Sequence, residues 1–418
     1  MTSQRESRSV EAYVAELVEQ APALALVTLP LTQAEGHVLA EDAHARTAVP
    51  PFRNSAMDGY AVRWVDLQGP EALPRTLTVV ADVAAGSTDD PALAPGECTR
   101  ISTGAAVPEA ADTVVPVELT DGGGAVVTVR ELPRSEGAHV RQAGEDLASG
   151  GLVVPAGRRL DPGCLAALSA CGVAQVTVNR RPRVAVGATG DELRPAGAEL
   201  ARGLIHESNV IYLAPSLRAL GCEVTDLGRL RDDTDSLTSA LRGAAATHDL
   251  VVLTGGASVG EHDVAREVLA AQGTAAHRTV RMQPGKPQGW ARVDEALVLS
   301  LPGNPIAASV SLHAIVVPLI ETMLGMRTAD DDVAARGFVC LAETAWRSPA
   351  GRRQYLPALL EHDGGGRARV RPAHVRGSGS HLTSALVSAD VLAVVPEEVT
   401  EVLPGDRLVA IPLRPNAS

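Results

Sequence analysis

Between residues 9 and 27 apolar side chains recur at helical spacing (Val10, Tyr13, Val14, Leu17, Val18), and the stretch 31–39 predicts a second helix before the Pro50-Pro51 break. The pattern then shortens. From Pro50 to about Arg141, brief β runs alternate with Gly, Pro and Asp, including an expected hairpin of 113–119 with 125–132 around Asp121-Gly122-Gly123-Gly124. A short helix over 165–170 and a strand over 173–178 then read as a return to the lead-in. Between Pro182 and Gly325, strands at 184–187, 223–227, 250–253 and 296–301 alternate with helices at 208–220, 234–246, 261–271 and 305–324. That alternation predicts a parallel sheet covered by helices on both faces, with ligand chemistry at the carboxyl ends of the strands. Past an acidic stretch at 329–332, β runs at 337–344, 355–361, 367–371 and 391–411 predict a separate β unit.

The expected fold class is therefore multidomain α/β with β-rich accessory domains: a central parallel sheet flanked by helices. Its parts are a helical or mixed linking domain (1–49 plus 142–181), a small β domain inserted in it (50–141), an α/β domain (182–327) and a C-terminal β domain (328–418).

Composition narrows the chemistry. Aromatics are 2% of the chain, which leaves no stacking platform for single-stranded nucleic acid, and a net charge of -13 without a basic run argues against any polyanion partner. The polar start Met1–Val10 has no apolar segment after it, and no eighteen apolar residues run together, so a cytoplasmic protein with no membrane contact is expected. Five cysteines without a C-x-x-C pair (Cys98, Cys164, Cys171, Cys222, Cys340) read as buried thiols. Among 37 basic side chains, Lys286 is the only lysine, a compact point charge able to meet an oxyanion end-on where the arginine fork cannot.

The loops after the α/β strands are rich in polar and special-geometry residues. Thr189-Gly190-Asp191-Glu192 follows the first strand, Asp232-Asp233 the second, and Thr254-Gly255-Gly256-Ala257-Ser258-Val259-Gly260-Glu261-His262-Asp263 the third. Two readings stand side by side: the acids cap helices and turns, or they converge on a hard, oxygen-loving cation such as Mg²⁺. Arg281-Met282-Gln283-Pro284-Gly285-Lys286-Pro287 and Leu301-Pro302-Gly303-Asn304-Pro305 are proline-stiffened turns that either join elements or aim Lys286 and backbone amides at an anion. No P-loop and no G-x-G-x-x-G occurs. Gly256–Gly260 matches G-x-S-x-G around Ser258, but an acid and a histidine immediately beside the serine are too local for a hydrolase triad. Three loops of the β domain share this polar character: 50–63, 100–108 and 141–146.

Taken in order, P-P-F-R-N-S-A-M-D-G-Y-A-V, R-I-S-T-G-A-A-V-P, R-Q-A-G-E-D, A-T-G-D-E-L, H-E-S-N, T-G-G-A-S-V-G-E-H-D, P-G-K-P and L-P-G-N-P closely resemble the molybdopterin molybdenumtransferase family, which includes gephyrin's catalytic domain. The resemblance implies four domains in an elongated homodimer with the active site at the interface. It implies an insertase reaction in which adenylylated molybdopterin and molybdate react with Mg²⁺, AMP leaves, and molybdenum stays on the dithiolene sulfurs. Carried over by position, it gives Asp58, Glu192, Asp232, Asp263 and Lys286 catalytic roles. It gives Thr103, Asp146, Thr189, Gly190, Ser208, Asn209, Gly255, Gly256, Ser258, Gly260, Pro302, Pro305 and Ser378 contacts to substrate, and makes Asp191, Asp232, Glu261 and Asp263 the metal ligands. The stretch 377–380 and Asp58 are expected to face the partner's α/β domain, with a molybdopterin adenylyltransferase and acceptor apo-molybdoenzymes as further partners. One departure is Gln283, where many relatives have lysine. The alternatives are a non-catalytic cofactor-binding or scaffold paralogue, and an adenylyltransferase, which leaves the β domains without a purpose.

Overall fold

The computed structural model describes residues 7–68, 73–256, 264–271, 274–326, 336–374 and 379–413. Its centre is a seven-stranded sheet in the order Ser7–Arg8, Ala275–Val280, Pro287–Val293, Ala296–Leu301, Leu250–Thr254, Arg183–Thr189 and Glu223–Leu230. The last four run parallel, as the alternating pattern predicts. The sheet as a whole is mixed, because Ala275–Val280 and Pro287–Val293 form an antiparallel hairpin on the flank of Ala296–Leu301. The sequence pattern does not predict that hairpin, because its strands mix Arg, His, Thr and Gln with apolar residues and carry no clean period of two.

The core strands read as unbroken apolar runs because both faces are buried. Val184, Val186, Ala188, Leu250, Val252, Leu297 and Leu299 point to one face and pack with the helices Asn209–Ala219 and Pro305–Met323. Ala185, Val251, Leu253, Ala296 and Val298 point to the other, against Thr234–Ala245 and Val264–Ala271. Pro305–Met323 is long and apolar enough to cross a membrane, yet 78% of its apolar window is buried inside the fold, so it serves as the core helix.

The N-terminal helix is shorter than the pattern suggests, Val10–Gln20, capped by Ser9, whose hydroxyl accepts from Ala12 N at 3.1 Å, and followed by Ala21-Pro22. It packs Tyr13 and Leu17 into the α/β core, and its Glu16 accepts from Trp290 Nε1 at 2.9 Å. The second helix expected over 31–39 does not form. Only a 3₁₀ turn, Leu31–Gln33, survives before Gly36 turns the chain at φ 73°, and Val38–Leu39 joins Leu26–Pro30 in a sheet with Gln175–Asn179. Val38 and Leu39 bury themselves as strand residues, and tertiary pairing overrides the local pattern.

In the β domain the strands lie in the order Val126–Val129, Arg75–Val83, Glu97–Ile101, Gly59–Val62, Thr113–Pro116. The expected hairpin is therefore replaced. Its two arms sit at opposite edges, joined by one bridge, Thr120 to Val129, because Val127 and Val129 bury against Leu77 while Val114 buries with Ile101. In the C-terminal unit, Arg353–His362, Ala368–Pro372, Phe338–Ala342, Arg407–Pro412 and Val391–Val395 close into a barrel, since the first also pairs with the last. Met282–Gln283 adds beside Arg353-Gln354 and ties the barrel to the hairpin turn that carries Lys286. The five cysteines are free thiols, four buried and Cys164 partly so.

Candidate active site

Where the parallel strands end, three loops meet. Strand Arg183–Thr189 runs into Gly190, and Leu250–Thr254 into Gly255-Gly256, while Ala296–Leu301 leads to the Pro302–Pro305 turn. Gly255 N donates to Leu301 O at 3.1 Å, and Ser300 Oγ donates to Gly255 O at 3.2 Å, so the glycine turn is fixed to the neighbouring strand. Gly255 has φ +94°, and a Cβ there would lie 2.5 Å from Thr189 O and 2.6 Å from Thr189 Oγ1. Only glycine fits that close approach.

Asn209, first residue of the helix Asn209–Ala219, donates from Nδ2 to Gly303 O at 2.7 Å and clamps the proline turn from below. Among the described residues, its Oδ1 and Thr254 Oγ1 are both buried without a hydrogen-bond partner. Buried polar atoms seldom stay unpaired, so two such atoms under one glycine turn mark a place built to receive a ligand or ordered water. Thr254 and Gly303 had not been singled out as site residues; an apolar strand that ends on a threonine before a glycine pair is the signal that could have flagged the former. Ser208 precedes the same helix, with its side chain not bonded to the first turn, which Glu207 Oε1 caps instead by accepting from Val210 N at 2.8 Å.

Lys286 stands on the hairpin tip, exposed. The hairpin's pairing with Ala296–Leu301 ends at Gly289 beside Ser300, and Lys286 lies three residues farther along the tip. Gln288 anchors the tip by donating from Nε2 to Gly285 O at 2.8 Å and to Ser311 Oγ at 2.7 Å. Gln283 is half-buried, and its Oε1 has no partner among the described residues.

The acids divide. Asp191 and Glu192 are exposed on the first loop, with the Glu192 carboxylate folded over Gly190, and Asp232 follows the edge strand one position past Arg231. Asp233 is a cap: its carboxylate accepts from Ser236 N at 2.9 Å, which holds it below the usual carboxylate range. Among the described residues no three acidic, His or Cys side chains gather as a preformed metal cage. Ser258, Gly260, Glu261, Asp263 and Ser378 lie outside the described residues. Ser380, two residues after Ser378, accepts at Oγ from Asn304 Nδ2 at 3.0 Å and at its carbonyl from Ile306 N at 3.3 Å.

The three polar loops of the β domain converge on one another. Val140–Arg141 pairs with Asn54–Ser55, Gly104 N donates to Ser55 O at 2.8 Å, and Asp146 N donates to Val49 O at 3.0 Å. Asp58 accepts from Thr103 N at 2.7 Å and Thr103 Oγ1 at 3.0 Å, and these two bonds hold its exposed carboxyl below the ordinary range. The structure thus brings Thr189, Gly190, Asn209, Gly255 and the Pro302–Pro305 turn into one cluster, and sets Asp58 against Thr103 in a second, with Asp146 on an adjoining loop bonded to Val49.

Comparison with known proteins decides the family. Models of the MoeA N-terminal region (domains I and II), of a probable molybdopterin binding domain and of the MoeA C-terminal region (domain IV) match residues 8–172, 185–322 and 341–413. The chain is 38% identical to molybdopterin molybdenumtransferase 2 of Mycobacterium tuberculosis over 96% of its own length and 98% of that protein. The chain belongs to the molybdopterin molybdenumtransferase family. A second member, from Haemophilus influenzae, is 34% identical over 92% of this chain and 93% of its own. The crystal structure of a molybdopterin biosynthesis MoeA protein from Pyrococcus horikoshii superposes with a TM-score of 0.80 at 31% identity, covering 97% of this chain and 99% of that one. The family's probable molybdopterin binding domain coincides with the glycine-turn cluster, and its N-terminal region with the Asp58 cluster.

Proposed function

We propose that this family member is a molybdenum insertase of cofactor biosynthesis, a cytoplasmic transferase that places molybdate-derived molybdenum on the dithiolene of adenylylated molybdopterin and releases AMP. One observation carries the reading to this chain's own atoms: the buried, unpartnered Asn209 Oδ1 and Thr254 Oγ1 beneath a turn where only glycine fits. The backbone around Gly255 and Gly303 can approach a substrate closely, Asn209 and Thr254 can orient it, and Lys286 brings a point charge to phosphate or molybdate oxygens.

The donor set suits Mg²⁺. Asp191 and Asp232, with Glu261 and Asp263, would offer an all-oxygen donor set, the chemistry taken by a hard ion that keeps several waters and shares substrate phosphates. When bound, such a cation neutralises phosphate charge and polarises the phosphoanhydride-like bond. Asp58 and Thr103 form the second cluster, with Asp146 on the adjoining loop, and a second copy of the chain would supply it to the first across a homodimer interface. Substrate would come from an adenylyltransferase and product would pass to apo-molybdoenzymes.

The test is AMP release from adenylylated molybdopterin, measured with and without molybdate and Mg²⁺, in the wild type and Asp263→Asn. The expected result is release that needs both additions and is lost in the variant. Tight binding of the substrate by the wild type with no release at any molybdate concentration would instead make this a non-catalytic binding protein, with Gln283→Lys as the variant that should restore turnover.

A further inference from the structure

The two helices that begin at the site are tied together one turn inside it by side chains the reaction does not use. Ser309 Oγ donates to Tyr212 Oη at 2.8 Å, and Tyr212 Oη bonds His313 Nε2 at 3.1 Å. Tyr212 lies three residues after Asn209, and Ser309 four residues after Pro305. The ends that this chain joins are therefore the ones that carry the Asn209 clamp and the Pro302–Pro305 turn.

His313 belongs to a five-residue π segment, Leu312–Val316, within the core helix. Such widened turns displace side chains from the α-helical rows and recur at functional sites. Here the His313 carbonyl accepts from Arg336 Nη1 at 3.0 Å, and Arg336 is also paired with Glu321 at 3.3 Å. The segment is thus held by a residue at the head of the C-terminal unit. Burial, then the nearby Arg336 charge, pushes His313 down to about 4, so its ring is neutral at working pH. Burial raises Tyr212, which keeps its proton. With Ser309 donating to Tyr212, the tyrosine proton is free to go to Nε2 of the neutral tautomer that carries its hydrogen on Nδ1.

We propose that Tyr212 and His313 are positioning residues, which set the spacing between Asn209 and the proline turn and couple that spacing to the C-terminal unit through Arg336. The kinetic part of this inference rests on the insertase reading; the structural part does not. A shift of about 1 Å in a substrate-holding group can cost on the order of a hundredfold in rate.

The experiment uses the full chain and the variants Tyr212→Phe, His313→Leu and His313→Gln, the last able to accept the tyrosine proton through its amide oxygen. Hydrogen exchange is measured by peptide, alongside KM and kcat for AMP release. Expected are roughly tenfold faster exchange confined to peptides 209–212 and 301–306, and a KM raised about tenfold with kcat less affected, in Tyr212→Phe and His313→Leu. His313→Gln should restore both. Exchange that rises evenly over the whole α/β region, or local exchange and KM that stay at wild-type values, overturns the proposal. Should the wild type release no AMP, the insertase reading fails and the exchange pattern alone decides this one.

Discussion

Gly255→Ala is the sharpest perturbation the site offers, because the added methyl meets backbone. Two terms set its cost. A left-handed φ costs a non-glycine residue about 1–2 kcal/mol, partly offset by about 0.4–1 kcal/mol from a stiffer unfolded chain. Gly197→Ala isolates that balance: Gly197 has φ +84°, and a Cβ there meets nothing within 4 Å. At Gly255 the new Cβ is 2.5 Å from Thr189 O and 2.6 Å from Thr189 Oγ1. Carbon and oxygen pack comfortably nearly 1 Å farther apart, and Gly255 is bonded through both N and O to Leu301 and Ser300, so the turn cannot slide away. Relieving such an overlap costs about 1–3 kcal/mol in a packed region.

The sum is about 1–4.5 kcal/mol for Gly255→Ala against about 0–1.5 kcal/mol for Gly197→Ala. At roughly 2–4 °C per kcal/mol for a domain of this size, Gly255→Ala should melt about 2–18 °C below the wild type. Gly197→Ala should stay within a few degrees. AMP release should fall at least tenfold in Gly255→Ala even well below its melting temperature, since relief of the overlap moves Thr189 or the glycine turn itself. If the two variants melted together and turned over alike, the reasoning that close packing at Thr189 shapes the site would be wrong.

Asp249→Asn should cost about 3–5 kcal/mol at neutral pH, because it breaks a largely buried pair in which Asp249 meets Arg180 at 2.5 and 2.7 Å, beneath the strand that leads to Thr254. Burial alone would raise that carboxyl, but the Arg180 bonds and the Arg183 amide outweigh it and lower it. The contribution is therefore complete above the usual carboxylate range and lost as pH falls through the lowered value; melting curves of wild type and variant should converge on the acid side and diverge at neutral pH. Asp58→Asn should reduce AMP release by the same factor from pH 6 to 8, as Thr103 keeps Asp58 ionised throughout. A pH–rate limb present in the wild type and absent from the variant would contradict this. Lys286→Arg should lose nearly as much activity as Lys286→Ala, because the planar fork cannot replace a point charge on a narrow tip; full activity in Lys286→Arg would reduce the lone lysine to an accident of composition.

How much of this was legible beforehand depended on what each residue answers to. The parallel strands were, since burial on both faces forces continuous apolar runs such as Leu250-Val251-Val252-Leu253, and the helices between them repeat at their own period. The loop glycines were legible because their chemistry is local: Gly255 needs its φ whatever lies nearby. Pairings made far along the chain were not. Val126–Val129 has the composition of a hairpin partner for Thr113–Pro116, and only the core around Leu77 sends it to the opposite edge. Likewise Val38-Leu39 is helical in pattern but buried as strand beside Gln175–Asn179. Thr254 stayed hidden for a related reason. Its strand position makes it look like core, and its importance lies in lacking a partner, a property of the neighbours rather than of the residue. The π segment around His313 is the extreme case: nothing in Leu-His-Ala-Ile-Val departs from an ordinary core helix until Arg336, from another unit, takes its carbonyl. Sequence pattern therefore reports where a chain is buried and where it must turn, while the groups that tune a site are read from which polar atoms the finished packing leaves paired or unpaired.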